Sequence, residues 1–244
     1  MEPDQRPAEL PPCAVGFDFD HTLGLDNGLE VAAFHRLSAE LGHPLGERDG
    51  PLLACITDVL GRFRTAAITL DEAVDEFTSR LGVSLDSSQA ERYREICFGL
   101  VDELVTPIDG ARELIAALIE RDIPTAILTN GWSPLQYLKI ARALDYAGPI
   151  LVSDELGILK PDAGAFAKLV DVLAVPRERI WFVGDNPKTD IAGAQGAGLR
   201  GVWFDWEAMS YPVDAPAPDE RIGHLRQLID LLPGPNMSAE NIAR

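Results

Sequence analysis

Five short runs of apolar, β-branched and aromatic residues punctuate the chain: "AVGFDF" (14–19), "TAILTN" (125–130), "PILVSD" (149–154), "RIWFVGD" (179–185) and "GVWFDW" (201–206). None alternates strictly between apolar and polar, as expected of strands covered on both faces. Helix-length segments separate the later runs, so the repeating unit is strand–helix–strand. That predicts an α/β fold with a parallel sheet and right-handed crossovers. Asp109 precedes "GARELIAALIERD", in which Leu114, Ile115 and Leu118 share a face. Ser133 and Pro134 read as N-cap and first helical residue before "LQYLKIARALDY". Asn186 and Pro187 repeat that signature before "KTDIAGAQGA", and Gly198 suits the helix end.

Residues 28–104 carry a different rhythm. Amphipathic helical spacing recurs around 28–42, 50–61, 70–82 and 87–104, without a convincing strand. "GLEVAAFHRLSAELG" and "TLDEAVDEFTSRLG" each run at helical spacing to a terminal Gly. An all-helical domain, residues 26–105, is therefore expected as an insert in an α/β core made of 12–25 and 106–232. Turn formers in "LGLDNG" (23–28) and "VTPIDG" (105–110) mark its junctions. "DERIGHLRQLIDLL" reads as a last helix, and residues 1–11 and 233–244 as flexible tails.

Composition narrows the function classes. Of 244 residues, 46% are apolar and 25% charged, ordinary for a chain that buries a core. The formal net charge of −18 would be repelled by a phosphate backbone or an anionic membrane, so neither nucleic acid nor membrane is an expected partner. Cys13, Cys55 and Cys97 lack metal-ligand or disulfide spacing and read as plain thiols. The opening "MEPDQRPAELPP" has no apolar run of the secretory kind, and a soluble cytoplasmic protein is expected.

The chemistry gathers where the strands end, which is where parallel α/β sheets bind ligands. Asp18, Asp20 and Thr22 follow the first strand at intervals of two, which in extended chain would aim them to one side. Thr129 and Asn130 end the second strand, Lys160 follows the third, and Asp185 and Asp190 follow the fourth. Carboxylates crowded about 4 Å apart repel by roughly 4 kcal/mol per pair at an effective dielectric of about 20. Either protons or a cation must relieve them, and a few hard oxygens suit Mg²⁺. Acidic ligands beside a lysine, hydroxyls and amide donors describe a site for a phosphoryl group.

Four segments in order, "DFDHT", "LTNG", the lysine of "LKP" and "GDNPKTD", resemble the motifs of the haloacid dehalogenase superfamily, phosphatase branch, over nearly the whole chain. The resemblance implies a Rossmann-like core with a helical cap between the first and second motifs, of the kind that shapes substrate choice. It implies a Mg²⁺-dependent phosphatase acting on a small phosphorylated metabolite through an aspartyl-phosphate. Monomer and homodimer are both open. By the same resemblance Asp18 is the nucleophile and Asp20 the acid, then base. The Asp18 and Asp185 side chains and the Asp20 backbone carbonyl hold the metal. Thr129 and Asn130 hold the phosphoryl, Lys160 pairs with nucleophile and phosphate, and Asp190 orients the lysine or metal-bound waters. Thr22 and Asn186 are supporting residues, Asn186 mainly as a helix cap.

Asp20 favours phosphate esters over halides, since an alkoxide leaving group needs an acid and halide does not. His21 departs from the family, which commonly has Gly there; a tolerated turn residue, a bond to the flanking loop and a substrate contact are all open. A phosphomutase of the same fold is the alternative. A metal-dependent glycosyltransferase would leave Lys160 and "GDNPKTD" unexplained, and a non-catalytic binding module should have lost a motif residue. Phosphonate cleavage would need a cap lysine, and residues 28–104 contain none. Within that segment "GRFRT" (61–65) is the candidate for leaving-group contacts, while His35 and His43 read as surface or packing residues. The four tryptophans read as packing, with Trp132 beside "TNG" a candidate neighbour of the substrate.

Overall fold

A computed structural model describes residues 12–46, 48–83 and 88–232. The expected tails lie outside those residues. The strands are β1 (Ala14–Phe17), β2 (Gly24–Leu25), β3 (Thr106–Pro107), β4 (Thr125–Thr129), β5 (Ile150–Val152), β6 (Ile180–Gly184), β7 (Arg200–Phe204) and β8 (Glu220–Ile222). The helices are α1 (Leu29–Glu40), α2 (Gly50–Arg64), α3 (Leu70–Arg80), α4 (Ser88–Leu104), α5 (Ala111–Glu120), α6 (Leu135–Ala143), α7 (Ser153–Leu156), α8 (Ala163–Leu173), α9 (Ala192–Gly196) and α10 (Leu225–Leu231). The chain divides into two units, Asp26–Thr106 and the remainder.

The α/β unit is built on a six-stranded sheet in the order β5-β4-β1-β6-β7-β8, every neighbouring pair parallel. After β1 the sheet grows first through β4 and β5, then on the other side of β1 through β6 to β8. The order therefore reverses at β1, and its carboxyl end is the crevice where such sheets bind ligands. All four residues of β1 and all five of β6 are buried, which explains their unbroken apolar composition. One core layer packs Phe166, Leu169 and Leu173 of α8 against Ala14, Ala126, Leu128, Ile180 and Phe182. Gly16 in β1 is required by that packing: a Cβ there would lie 2.6 Å from Leu169 and 2.9 Å from Phe182.

The helical unit contains α1 to α4. Phe34 of α1 sits at its centre, 4.9 Å from the Phe77 ring and 4.5 Å from Tyr93, centroid to centroid. The Tyr93 hydroxyl donates to the Glu30 carbonyl at 3.0 Å, so the buried ring keeps a polar partner. Thr69 and Glu72 form a reciprocal capping box at the start of α3.

Several local expectations change. The segment 219–232 is not one helix: Glu220–Ile222 adds an edge strand, too short to show a period, and α10 begins only after His224. His224 caps α10 by accepting from the Arg226 N–H at 3.1 Å. The N-cap of α5 is Gly110 at φ 84, and the carboxylate of the preceding Asp109 lies 2.8 Å from His224 Nε2. Ser133 does not cap α6, which starts at Leu135, because its hydroxyl donates to Glu155 at 2.7 Å. Asn186 does cap, accepting from the Lys188 and Thr189 N–H groups at 3.0 and 3.1 Å ahead of a π-turn leading into α9.

Candidate active site

The strand β1 ends at Phe17, although the Asp18 N–H still donates to the Val183 carbonyl at 2.9 Å. Beyond Phe19 the chain closes on itself: the N–H groups of Thr22, Leu23 and Gly24 all converge on the Phe19 carbonyl. The alternation that would aim Asp18, Asp20 and Thr22 to one side therefore does not persist, and the two carboxylates part company. His21 lies at φ 61, in the left-handed region that Gly adopts freely and that His tolerates better than most residues. Its ring is exposed and near-parallel to Trp206, with centroids 6.4 Å apart and planes inclined at 22°.

Asp18 Oδ1 accepts from the Lys160 ammonium at 2.6 Å, and Asp190 Oδ1 accepts from the same ammonium at 2.8 Å. Lys160 is 2% exposed and Asp190 1%, so this is a desolvated pair of bonds rather than a surface bridge. Asp190 is fixed from behind, since its Oδ2 accepts from the Asn186 N–H at 3.0 Å. Gly184 makes room for it: a Cβ there would fall 2.5 Å from Asp190 Oδ2. The Asn130 amide spans the loop before Lys160, accepting from the Lys160 N–H and donating to the Lys160 carbonyl, both at 2.9 Å. Asn130 thus locks the lysine in place. The carbonyl of Asp185 accepts from the Trp203 indole at 2.9 Å. A cavity of about 90 Å³ beside Asp185 is lined by Pro187, Trp203, Trp206 and Met209 among others.

Asp18, Asp185 and Asp190 each offer a carboxylate oxygen, all within 4.8 Å of one another. At that separation two unit charges repel by roughly 3–4 kcal/mol at an effective dielectric of about 20. With all three ionised, the Lys160 ammonium would offset one of the three negative charges and leave two. Burial first, then neighbouring carboxylates, push the Asp18 carboxyl above the usual range despite Lys160. Asp185 is raised likewise, by burial and then by Asp190. Burial alone would lower the Lys160 ammonium, but Asp18 and Asp190 outweigh it and hold it above its ordinary value. Excess negative charge on hard oxygens fits a divalent cation.

Asp20 is held by other partners, although its charge still reaches Asp185 and adds to the upward push there. Its Oδ1 lies 2.5 Å from the Lys139 ammonium, and its Oδ2 accepts from Gln136 Nε2 at 2.9 Å. Gln136 Nε2 also lies 2.7 Å from Thr129 Oγ1. Both α6 residues are buried and were missed by sequence reasoning. A signal existed, because Gln136 and Lys139 share the helical face of the buried Leu135, Ile140 and Ala143, where polar residues are unexpected. Thr22 is fully buried with its hydroxyl lacking a hydrogen-bond partner among the described residues. Trp132, Trp181 and Trp203 are buried, and Trp206 is the exposed member of the four. In the helical unit Arg62 pairs with Glu76, and Arg64 with Glu30 at 3.1 Å. Among the described residues no helix is long and apolar enough to cross a membrane.

A family model described as a haloacid dehalogenase-like hydrolase matches residues 14–198. Phosphoserine phosphatase of Thermus thermophilus is 37% identical over 48% of this chain and 48% of its own length. Pyrimidine 5'-nucleotidase YjjG of Escherichia coli is 31% identical over 58% of this chain and 63% of its own. The chain thus spans less than two-thirds of either relative. The magnesium-bound HAD-hydrolase YfnB of Bacillus subtilis shares the fold with a TM-score of 0.69 at 23% identity, covering 90% of this chain and 97% of that one.

Proposed function

Because this chain belongs to the haloacid dehalogenase-like hydrolases, we propose that it hydrolyses a small phosphorylated metabolite through an aspartyl-phosphate on Asp18. The observation that carries the reading is the buried Asp18–Lys160–Asp190 array at the carboxyl end of the central strand, where the sheet order reverses. Phosphatase and nucleotidase relatives support the same class of reaction.

In this reading an Asp18 oxygen attacks phosphorus while the ester P–O bond breaks, and Asp20 gives its proton to the departing alkoxide. Water then attacks the aspartyl-phosphate, Asp20 takes a proton back, and the bond between Asp18 and phosphorus breaks to release inorganic phosphate. Lys160 offsets charge on the nucleophile and on the phosphoryl oxygens, and Asp190 holds Lys160 in place. Thr129 and the loop fixed by Asn130 form the rest of the phosphoryl cradle. The carboxylates of Asp18 and Asp185, with the Asp20 backbone carbonyl, would hold Mg²⁺, whose charge allows an anionic nucleophile to approach an anionic ester. The helical unit is the proposed substrate-selecting cap.

The test is phosphate release from a panel of nucleotide, sugar, sugar-acid and amino-acid phosphates, with and without Mg²⁺. Release of phosphate from at least one class is expected, strictly dependent on a divalent cation. Substantial turnover by purified Asp18→Asn would refute the nucleophile, and isomerisation without phosphate release would turn the reading to a mutase.

A further inference from the structure

We propose that Lys139 and Gln136 are positioning residues that hold the carboxylate of Asp20 where it can deliver and retrieve a proton. The inference rests on the phosphatase reading and adds to it a part of the site carried by α6.

The two residues are three apart on one helix and so share a face. From that face they engage both oxygens of one carboxylate, Lys139 at 2.5 Å and Gln136 at 2.9 Å. Asp20 Oδ1 is buried and accepts no well-aligned hydrogen bond among the described residues, so the adjacent ammonium offsets the charge that Asp20 carries once its proton has gone to the leaving alkoxide and until the attacking water returns one. Lys139 is itself buried, with its ammonium 5.8 Å from the centre of the Phe19 ring. A buried ion pair is weak support for a fold, since apolar residues of similar volume usually serve as well. Leu135, Ile140 and Ala143 show that this face of α6 accepts apolar residues. A buried lysine on that face meets the Asp20 carboxylate, which gives it a role beyond packing.

Gln136 supplies the link to the phosphoryl group. Its Nε2 also reaches Thr129 Oγ1 at 2.7 Å and the Asn130 carbonyl at 3.0 Å. One amide thereby ties the proton-transfer group to the end of β4. The backbone at Asp20 cannot do this alone: it turns sharply at His21, and the side chain beyond Cα is fixed by its partners.

General acid assistance matters most when the leaving group is a poor one. The measurement is therefore kcat/KM with Mg²⁺ for glycerol 1-phosphate, an alkyl ester, and for 4-nitrophenyl phosphate, whose leaving group departs without a proton. Lys139→Met should lower the alkyl value about 10–100-fold and leave the aryl value within about threefold. Gln136→Met should lower the alkyl value preferentially as well, and Asp20→Asn should show the same selectivity more strongly. If Lys139→Met does not fold, Lys139→Gln serves in its place. Equal losses on both esters, or no loss on either, would overturn the proposal. If the wild-type protein hydrolyses neither ester, the comparison is made with the alkyl phosphate of the panel that it does hydrolyse; if it hydrolyses none of the panel, the phosphatase reading falls, and crystal structures of wild type and variant still decide the positioning claim. The Asp20 carboxylate should leave its place in the variant; its retention there would overturn the inference.

Discussion

Replacing Lys160 by Met removes the ammonium that pairs with both Asp18 and Asp190, while roughly keeping the side-chain volume. The two carboxylates it leaves are buried, and Asp185 stands within 4.8 Å of both. Breaking a buried ion pair by removing one partner costs about 3–5 kcal/mol. For a domain of this size each kcal/mol lowers the melting temperature by about 2–4 °C, so a drop of about 6–20 °C is expected at pH 8 without added metal. The loss must depend on pH. Asp18 and Asp185 already have folded-state pKa values above the ordinary carboxylate range. The folded protein therefore holds more protons than the unfolded chain once the pH exceeds that range, and stability falls as pH rises toward the raised values. Without the Lys160 charge the carboxyls rise further, so the gap between variant and wild type should widen from pH 5 to pH 8. Tryptophan fluorescence is the assay of choice, because Trp132, Trp181, Trp203 and Trp206 all lie in the α/β unit. A variant that melts with the wild type at pH 8, or whose deficit is the same at both pH values, would refute this account of the cluster's charge.

Three further outcomes follow from the same geometry. A fixed Mg²⁺ concentration, about 100 times the dissociation constant at pH 8, should stabilise metal-stripped protein by about 2.7 kcal/mol at that pH and by less at pH 5.5, because the raised Asp18 and Asp185 carboxyls must shed protons to bind it; thermal scans with and without chelator check this. Gly184→Ala should cut turnover in the proposed phosphatase reaction at least tenfold with little change in the far-ultraviolet circular dichroism, since its Cβ would strike Asp190 at 2.5 Å and push it off Lys160. Phe34→Ala, at the centre of the Phe34–Phe77–Tyr93 cluster, should cost about 3–5 kcal/mol in urea unfolding of the helical unit followed by circular dichroism.

Much of the architecture was legible because burial leaves a periodic trace. Strands covered on both faces must be apolar throughout, so β1, β4, β6 and β7 stood out as runs. Amphipathic spacing likewise marked α1 to α4, where each helix buries one face. β8 left no such trace: a three-residue edge strand is shorter than any period that could reveal it, and the helical pattern of Leu225–Leu231 absorbed it.

At the candidate site, the chain by itself determined which chemical groups lie at the strand ends, because a parallel sheet brings the ends of its strands to one edge whatever the distance between them in sequence. Asp18, Lys160 and Asp190 are far apart in the chain, yet Asp18 directly follows β1 and the other two lie in the segments that follow β5 and β6, which meet at that edge. Tertiary structure alone decided where the side chains point. Asp18 and Asp20 seemed bound to face the same way only while the chain stayed extended; the turn that converges on the Phe19 carbonyl sends them to different partners. The amide of Asn130 could have faced a phosphoryl group, but it is engaged with the backbone of Lys160 on both sides. Gln136 and Lys139 acquire meaning only when α6 packs beside the β1 loop, since contacts made more than a hundred residues apart in sequence depend on packing and leave no local period to read.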